Sequence, residues 1–289
     1  MSTTKNKVES RFVEAEGWRI HYTVHGEDGP ALILLHGGDP GATGLSNYSK
    51  NIAALSAHFT TYVIDFPGWG RSSKNLGPGN PFERGGQVIG AFIKALDLGK
   101  VSLVGNSFGG SSALYAALNS PDLVDRLVLM GPGGALIPGS KGPTPGIMQL
   151  LTYYMGEGPT LEKLQGFIQN LVFDPELMTS ELVKQRFEAS ADPEIIANPP
   201  LRLPPGAPPA DSYLCNDPRL ATLANPTLFI WGLEDKVNPW EGVLTFRAIP
   251  DQDVVLLSRC GHWAQWEHPA KFNALALDFL RRYETSGRV

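Results

Sequence analysis

Ser107 stands in the string Gly105-Asn106-Ser107-Phe108-Gly109, directly after the apolar run Val101-Ser102-Leu103-Val104 and just before the helix-like segment Ser111 to Asn119. A serine with a glycine two residues to either side, between a strand and a helix, occupies a tight, strained turn. There a Cβ at either glycine would collide with the adjoining element, and the hydroxyl is held out at the strand's tip. Such a hydroxyl is a poor nucleophile at neutral pH; it needs a base, and the base needs a partner that fixes its tautomer. Both are found downstream. The apolar run Thr227-Leu228-Phe229-Ile230-Trp231 reads as a buried strand and ends in Gly232-Leu233-Glu234-Asp235, which leaves an acid at the sheet's carboxyl edge. Asp235 is the expected acid and its neighbour Glu234 the alternative. A further strand, Asp253 to Leu257, leads into Ser258-Arg259-Cys260-Gly261-His262, so His262 is the expected base.

The chain has six histidines. His21 and His25 fall in an amino-terminal strand pattern, His58 at a surface-like helix end, and His268 after Glu267 at the start of the last helix; structural or solvated roles suit them. His36 is different, because it closes the strand Ala31 to Leu35 and opens Gly37-Gly38-Asp39-Pro40-Gly41. A nucleophile elbow, the chain order Ser, Asp, His and a His-Gly-Gly loop together resemble an α/β-hydrolase. In that class the oxyanion hole takes one backbone N–H from the loop, here Gly38, and a second from the residue after the nucleophile, here Phe108.

At 289 residues, with 42% hydrophobic and 18% charged content, the chain can bury one large core. Its net charge of -5, without basic clusters, argues against nucleic acid as a partner. No window approaches the roughly 20 apolar residues of a membrane span, and the first seven residues lack the apolar centre of a signal peptide, so a soluble, cytoplasmic enzyme is expected. The two cysteines, Cys215 and Cys260, are expected to be free thiols.

Apolar runs at Ile20 to Val24, Ala31 to Leu35, Thr60 to Asp65, Val101 to Gly105, Leu127 to Met130, Thr227 to Trp231 and Val254 to Leu257 read as strands. The later ones alternate with helices, which implies a mostly parallel sheet flanked by helices. Between Met130 and Thr227 the pattern changes. A turn-rich stretch from Gly131 to Pro145 precedes helical runs at Gly146 to Met155, Leu161 to Val172 and Thr179 to Ala189, and the proline-heavy stretch Asn198 to Pro209 reads as a surface loop or a rigid linker. This organisation predicts an α/β-hydrolase core over 1–134 and 220–289 with a helical cap inserted over 135–219. Ile147, Leu150, Leu151, Tyr154, Phe167 and Leu171 in the cap have apolar spacing that fits pocket lining or ordinary helix packing.

Several strings carry a narrower resemblance. They are Gly37-Gly38 with Pro40-Gly41, Ser46-Asn47-Tyr48, Gly105-Asn106-Ser107, Met130-Gly131-Pro132-Gly133-Gly134, Glu181 to Phe187, Glu234-Asp235-Lys236-Val237-Asn238-Pro239 and Cys260-Gly261-His262-Trp263-Ala264-Gln265-Trp266-Glu267-His268-Pro269. Over almost the full chain they resemble the meta-cleavage product hydrolases, which cleave C–C bonds in aromatic and steroid degradation. The His-Trp string and Arg186 are the most specific parts. The resemblance implies a 2-hydroxy-6-oxo-hexa-2,4-dienoate-type substrate with an aromatic or alkyl acyl end, no metal, no organic cofactor, and a dimer or higher assembly. It assigns the substrate's anionic end to Arg186, hydrogen bonds to the dienoate to Asn47 and Asn106, and packing and polarisation to Trp263; Gly37 and Asp39, in the loop after His36, are further candidate substrate-binding residues. Arginine suits a carboxylate because its planar, permanently charged fork matches the two oxygens.

Asp39 stands where the resembled family has a third glycine. Two readings are open: its carboxylate points away from the pocket and caps backbone N–H groups of the loop, or it faces the ligand. A carboxylate 4 Å from another unit charge is repelled by about 1 kcal/mol in water and by more in a less polar site, so the second reading implies a changed substrate. Two other function classes also remain: a serine esterase or lactonase, which needs only the triad and the oxyanion loop, and a non-catalytic binding protein on the same fold.

Overall fold

A computed structural model describes residues 9–136, 139, 142–202, 206 and 213–282. The extreme amino terminus, part of the turn-rich stretch before Pro145 and part of the proline-heavy stretch after Arg202 lie outside these residues. The strands are β1 (Ser10–Ala15), β2 (Trp18–His25), β3 (Ala31–Leu35), β4 (Thr60–Ile64), β5 (Val101–Asn106), β6 (Val124–Met130), β7 (Thr227–Gly232) and β8 (Gln252–Leu257). The helices are α1 (Gly44–Tyr48), α2 (Ile52–Leu55), α3 (Pro81–Ala95), α4 (Phe108–Asn119), α5 (Pro145–Thr152), α6 (Leu161–Leu171), α7 (Ser180–Ser190), α8 (Pro193–Ala197), α9 (Ala264–Glu267) and α10 (Pro269–Arg281).

The strands form one sheet in the order β1-β2-β4-β3-β5-β6-β7-β8. Strands β3 to β8 run parallel, while β2 is antiparallel to both β1 and β4. From β3 the chain winds outward through β4 on one side and through β5 to β8 on the other, so the strand order reverses between β3 and β5. Ligands of open α/β sheets bind beyond the carboxyl ends of the strands at such a point. Here Leu35 pairs with Gly105, which brings the His36 loop beside Ser107.

The pleat sorts the core. Ile33, Leu35, Val101, Leu103, Leu127 and Leu129 face one apolar layer, while Leu32, Leu34, Val104, Val128 and Met130 face the other. Both faces of these strands are buried, which is why they read as continuous apolar runs rather than as alternation. A third apolar cluster joins Leu150, Phe167, Leu171 and Tyr153 of the helices inserted between β6 and β7 to Val237, Trp263 and Trp266. Leu150, Phe167 and Leu171 therefore pack in that core, and Ile147 and Tyr154 flank it.

Strand β1 has no counterpart among the expected strands. It is joined to β2 by Glu16-Gly17, with φ of 48° and 89°. Positive φ at both central positions marks the hairpin turn whose twist matches its strands. Its apolar stretch is only Phe12-Val13, partly buried between exposed Ser10, Arg11 and Glu14, so it shows no apolar run. The helix α7, which carries Arg186, opens where the Thr179 side chain accepts the Leu182 N–H at 3.2 Å, with Glu181 in its first turn.

Candidate active site

The elbow is built as its glycines require. Ser107 has φ 52° and ψ -112°, and its N–H donates to Met130 O at 2.8 Å, which pins the turn to β6. A non-glycine residue held at positive φ costs on the order of 1–3 kcal/mol and persists where its surroundings over-determine it. Those surroundings are tight: a Cβ on Gly105 would lie 2.6 Å from Gly109 C, and one on Gly109 would strike the Leu35 and His36 carbonyls. Helix α4 begins at Phe108, so its first N–H groups and its positive dipole end face the space beside Ser107.

Gly38 meets Phe108 across that space, since a Cβ on Gly38 would lie 3.2 Å from Phe108 Cβ. The loop that presents Gly38 is braced by His36 and Asn47. Phe66 N–H donates to His36 Nε2 at 2.9 Å, which leaves the proton on Nδ1, and Nδ1–H donates to Gly37 O at 2.7 Å. The Gly37 carbonyl and the Gly38 N–H belong to one trans peptide unit and point in opposite directions. Holding the first toward His36 therefore aims the second away from that ring. Burial pulls the His36 pKa down, which agrees with a neutral ring. Asn47, fully buried, accepts Gly37 N–H at 3.2 Å and donates to Thr43 O at 3.3 Å. Both ends of its amide thus serve the loop, a role that sequence alone did not separate from ligand contact.

Asp235 and His262 face each other across the ends of β7 and β8. His262 Nδ1 lies 2.7 Å from Asp235 Oδ2, and both residues are buried. Asp235 also accepts from Val237 N–H at 2.9 Å and Asn238 N–H at 2.8 Å on Oδ1, and from Trp231 Nε1 at 3.2 Å on Oδ2. Glu234 is directed elsewhere, accepting Cys260 N–H at 3.0 Å. Gly131 sits against the pair: its φ is +49° and a Cβ there would lie 2.9 Å from His262 Cε1 and 3.1 Å from Asp235 Oδ2. His262 Nε2 is buried and has no hydrogen-bond partner among the described residues, so this nitrogen is not spent on structure there. Catalytic hydrogen bonds are often loose in free enzymes and tighten around the substrate. Burial is the largest influence on His262 and pulls its pKa down, but the charge and hydrogen bond of Asp235, helped by Asp39 and Glu267, outweigh it. The net direction is up.

A base must be unprotonated to act. The acidic limb of the kcat/KM profile is therefore expected above the usual imidazole range, with activity falling as pH drops through it. A profile measured with a slowly reacting substrate checks this, and a limb below that range would contradict the placement of Asp235 on His262. The same shift makes the His262 contribution to stability full at low pH, below the unfolded pKa, and lost as pH rises through the folded pKa.

Glu267 is a residue that sequence reading passed over. Its carboxylate gathers the N–H groups of Gly261 at 3.0 Å, Trp263 at 3.2 Å and Phe173 at 2.7 Å, and so fixes both sides of His262 and ties them to the chain after α6. Burial raises its pKa, against the three N–H groups. The only hint in the sequence was an acid five residues after the base.

Arg186, Trp263 and Asp39 form a buried cluster beside this machinery. Arg186 and Asp39 are each 1% exposed and Trp263 is 0% exposed. Arg186 Nη2 donates to Pro40 O at 3.0 Å and to Asp39 Oδ2 at 3.4 Å, Trp263 Nε1 donates to the same Asp39 oxygen at 3.1 Å, and the guanidinium carbon lies 4.6 Å from the Trp263 ring centroid. Asp39 thus turns inward. The reading that it points away and caps the loop fails, because a fixed cation and an indole N–H both lie within its reach on the inner side. Arg186 Nε and Nη1 are buried without partners among the described residues, and burial, the largest influence, lowers its pKa against the pull of Asp39. Asn106 donates through Nδ2 to His262 O at 3.0 Å and Met130 O at 3.3 Å, while its Oδ1 is buried and unpartnered. Unpaired buried polar atoms cost about 1–3 kcal/mol each, and their concentration here marks a place where a polar ligand would be rewarded. Leu201 covers the oxyanion loop, its Cδ1 lying 2.5 Å from where a Gly38 Cβ would be. A cavity of ≈ 460 Å³, lined by Ile168, Met178, Val183 and Phe187 among others, includes no triad residue.

A second Ser-His-Asp row lies toward the β1 edge of the sheet: Ser10 Oγ is 2.6 Å from His21 Nε2, and His21 Nδ1 is 2.8 Å from Asp65 Oδ2. Ser10 lies within a regular strand and accepts from Arg71 Nη1 at 2.5 Å, while Asp65 also accepts backbone N–H groups of Gly44 and Arg71, so the row knits β1 to the loop after β4. His21 is structural, as its strand position suggested.

Residues 30–269 match the α/β-hydrolase fold family. The chain is 37% identical over 277 residues to a 2-hydroxy-6-oxononadienedioate/2-hydroxy-6-oxononatrienedioate hydrolase of Burkholderia vietnamiensis, covering 91% of each chain. It is 35% identical to a protein of the same description from Cupriavidus pinatubonensis, covering 94% of this chain and 95% of that one. Among solved structures it is similar to a 2-hydroxy-6-oxo-6-phenylhexa-2,4-dienoate hydrolase from a Rhodococcus species, with a TM-score of 0.80, 28% identity and coverage of 95% and 99%. No helix among the described residues is long and apolar enough to cross a membrane. With the elbow, the His-Asp pair and the arginine-tryptophan cluster all built on this framework, the chain belongs to the α/β-hydrolase fold family and, within it, to the meta-cleavage product hydrolases.

Proposed function

We propose that the protein hydrolyses a C–C bond of a 2-hydroxy-6-oxo-hexa-2,4-dienoate-type substrate by covalent catalysis at Ser107, with residues 135–219 serving as its cap. The carrying observation is the buried Arg186 cation, held beside Trp263 with Nε and Nη1 unpartnered among the described residues. An ester hydrolase needs no such group, whereas a dienoate brings a permanent negative charge into the pocket.

The substrate carboxylate binds Arg186, and Asn106 Oδ1, unpartnered among the described residues, accepts a hydrogen bond from the 2-hydroxyl. The 2-hydroxyl gives up its proton as one is added at C5, a net shift of one proton that yields the keto form. His262 then removes the Ser107 proton, and the serine oxygen attacks the C6 ketone. The oxyanion is held by the N–H groups of Gly38 and Phe108, where removal of one donor typically costs about 10²–10³ in kcat. The C5–C6 bond breaks, its electrons passing to a dienolate that takes the proton from His262 and leaves as a hydroxypentadienoate. Water deprotonated by His262 attacks acyl-Ser107, the carboxylic acid departs, and the serine regains its proton. Asp235 holds the His262 ring throughout. A cytoplasmic setting, supported by the free thiols of Cys215 and Cys260, and a dimer or higher assembly are part of the same proposal.

Arg186→Gln separates this reading from the esterase alternative. Its kcat/KM on a yellow 6-phenyl dienoate is expected to fall at least about a hundredfold, in line with the roughly 3–5 kcal/mol at stake when a buried charge pair loses one member. Turnover of a short-chain chromogenic ester should change far less. Equal losses on both substrates, or none on the dienoate, would favour the esterase.

A further inference from the structure

The Arg186 guanidinium has two edges that can grip a carboxylate with paired donors, Nε with Nη2 and Nη1 with Nη2, so both edges share Nη2. Nη2 already donates to Pro40 O at 3.0 Å and to Asp39 Oδ2 at 3.4 Å. Nε, with one N–H, and Nη1, with two, have no partner among the described residues and share no carboxylate-gripping edge with each other. An incoming carboxylate can therefore gain a two-point grip only by competing for Nη2 with Asp39 and Pro40 O. Asp39 has somewhere to stay when it releases Nη2, because Trp263 Nε1 donates to the same oxygen. The pocket residue that the resembled family leaves as glycine is here a second anion within reach of the substrate's own.

We infer that Asp39 is a specificity-determining residue, a resident counter-ion that holds Arg186 in the free enzyme and that a substrate carboxylate must displace. The inference rests on the proposed role of Arg186 toward the dienoate carboxylate. Asp39 neutralises a fully buried cation when the pocket is empty, which a glycine could not do. The cost falls on binding: every ligand that brings a carboxylate to Arg186 competes with a built-in one, and substrate and carboxylate product are weakened together. A ligand that offers only a neutral carbonyl at that end keeps the Asp39–Arg186 pair intact. Asp39 therefore narrows the preference for acids over their neutral analogues and favours release of the acidic product. It does so without entering the covalent steps.

The test compares a 6-phenyl dienoate with its methyl ester, in which the charge at the Arg186 end is removed. KM is measured in the wild type, Asp39→Asn and Asp39→Gly, and dissociation constants for both compounds are measured in the Ser107→Ala background, where turnover cannot obscure binding. Asp39→Asn keeps the shape and removes the charge; Asp39→Gly restores the family residue and guards against an asparagine that disturbs folding. The ratio of acid to ester KM, and of their dissociation constants, is expected to fall by about tenfold or more in both variants, a change of roughly 1.4 kcal/mol per tenfold. A purely structural role would move acid and ester together and leave the ratio in place. A ratio within twofold of wild type in both variants, or one that rises, overturns the inference. Should the wild type neither bind nor bleach the dienoate, it is the proposed function that fails; should it bleach the dienoate with an unmoved ratio, only the role of Asp39 fails.

Discussion

Ser107→Ala is expected to lower dienoate turnover by at least about 10⁴-fold while leaving the fold and substrate binding in place. Removing the nucleophile of a Ser-His-Asp triad has cost about 2 × 10⁶ in kcat in a well-studied hydrolase, and what survives comes from the oxyanion donors and from binding. Alanine adds no bulk at an elbow whose space is already taken, and it retains the N–H bond to Met130 O that fixes the turn. The strained φ of 52° remains, so a modest loss of thermal stability relative to a glycine variant is the only structural consequence expected. Stopped-flow absorbance is the appropriate measurement. The variant should still bind the yellow dienoate and shift its spectrum, since Arg186, Asn106 and Trp263 are untouched, but should not bleach it. Residual turnover within tenfold of wild type would mean that a group other than Ser107 performs the attack.

The second large effect concerns the acid. Asp235→Asn should reduce kcat by about 10³–10⁴-fold, because an amide presented to His262 Nδ1 no longer enforces the tautomer with a free Nε2 and no longer stabilises the imidazolium. Asp235 accepts hydrogen bonds from Val237, Asn238, Trp231 and His262, so an amide at this site also sets its NH₂ group against an N–H donor. Glu234→Gln, one residue away, should stay within about tenfold of wild type, because that carboxylate serves the backbone N–H of Cys260, which an amide oxygen can also accept. Steady-state kinetics of the two variants side by side would decide the assignment: a collapse at Glu234 with activity retained at Asp235 would reverse it.

Much of this arrangement was legible in the sequence because it depends on local patterns. A strand buried on both faces reads as a mostly apolar run, and β3, β5 and β7 are such runs, each ending where a chemically unusual loop begins. The elbow was legible because only glycine fits at 105 and 109. The nearly continuous match of the His-Trp string carried the family. Strand β1 was not legible: it packs by pairing with β2, not by an apolar run, and its two-residue turn begins with glutamate, an uncommon occupant of positive φ. Glu267 was not legible for a different reason. Its importance lies in collecting N–H groups from Gly261, Trp263 and Phe173, the last of them 94 residues away, and no local spacing encodes such a meeting.

Asp39 shows the limit most clearly. From the sequence it was a carboxylate in a glycine-rich loop, and both an outward cap and an inward anion satisfied local rules. The outcome turned on a cation 147 positions later, delivered by α7. Once Arg186 is placed within hydrogen-bonding reach, the inward orientation offsets a buried charge that would otherwise cost several kcal/mol, far more than a loop cap of about 1 kcal/mol contributes. The interaction of two buried groups from distant segments decided the geometry, and it gives this pocket a charge balance that its oxyanion loop alone does not reveal.

The most direct measurement is the reaction itself: purified protein mixed with the yellow 6-phenyl dienoate, the visible absorbance followed, and the products identified by chromatography. Rapid bleaching with benzoate and a hydroxypentadienoate in equal amounts, abolished in Ser107→Ala, is the predicted result. An unbleached dienoate beside efficient, Ser107-dependent turnover of a simple ester would contradict C–C bond hydrolysis and leave an esterase built on this framework.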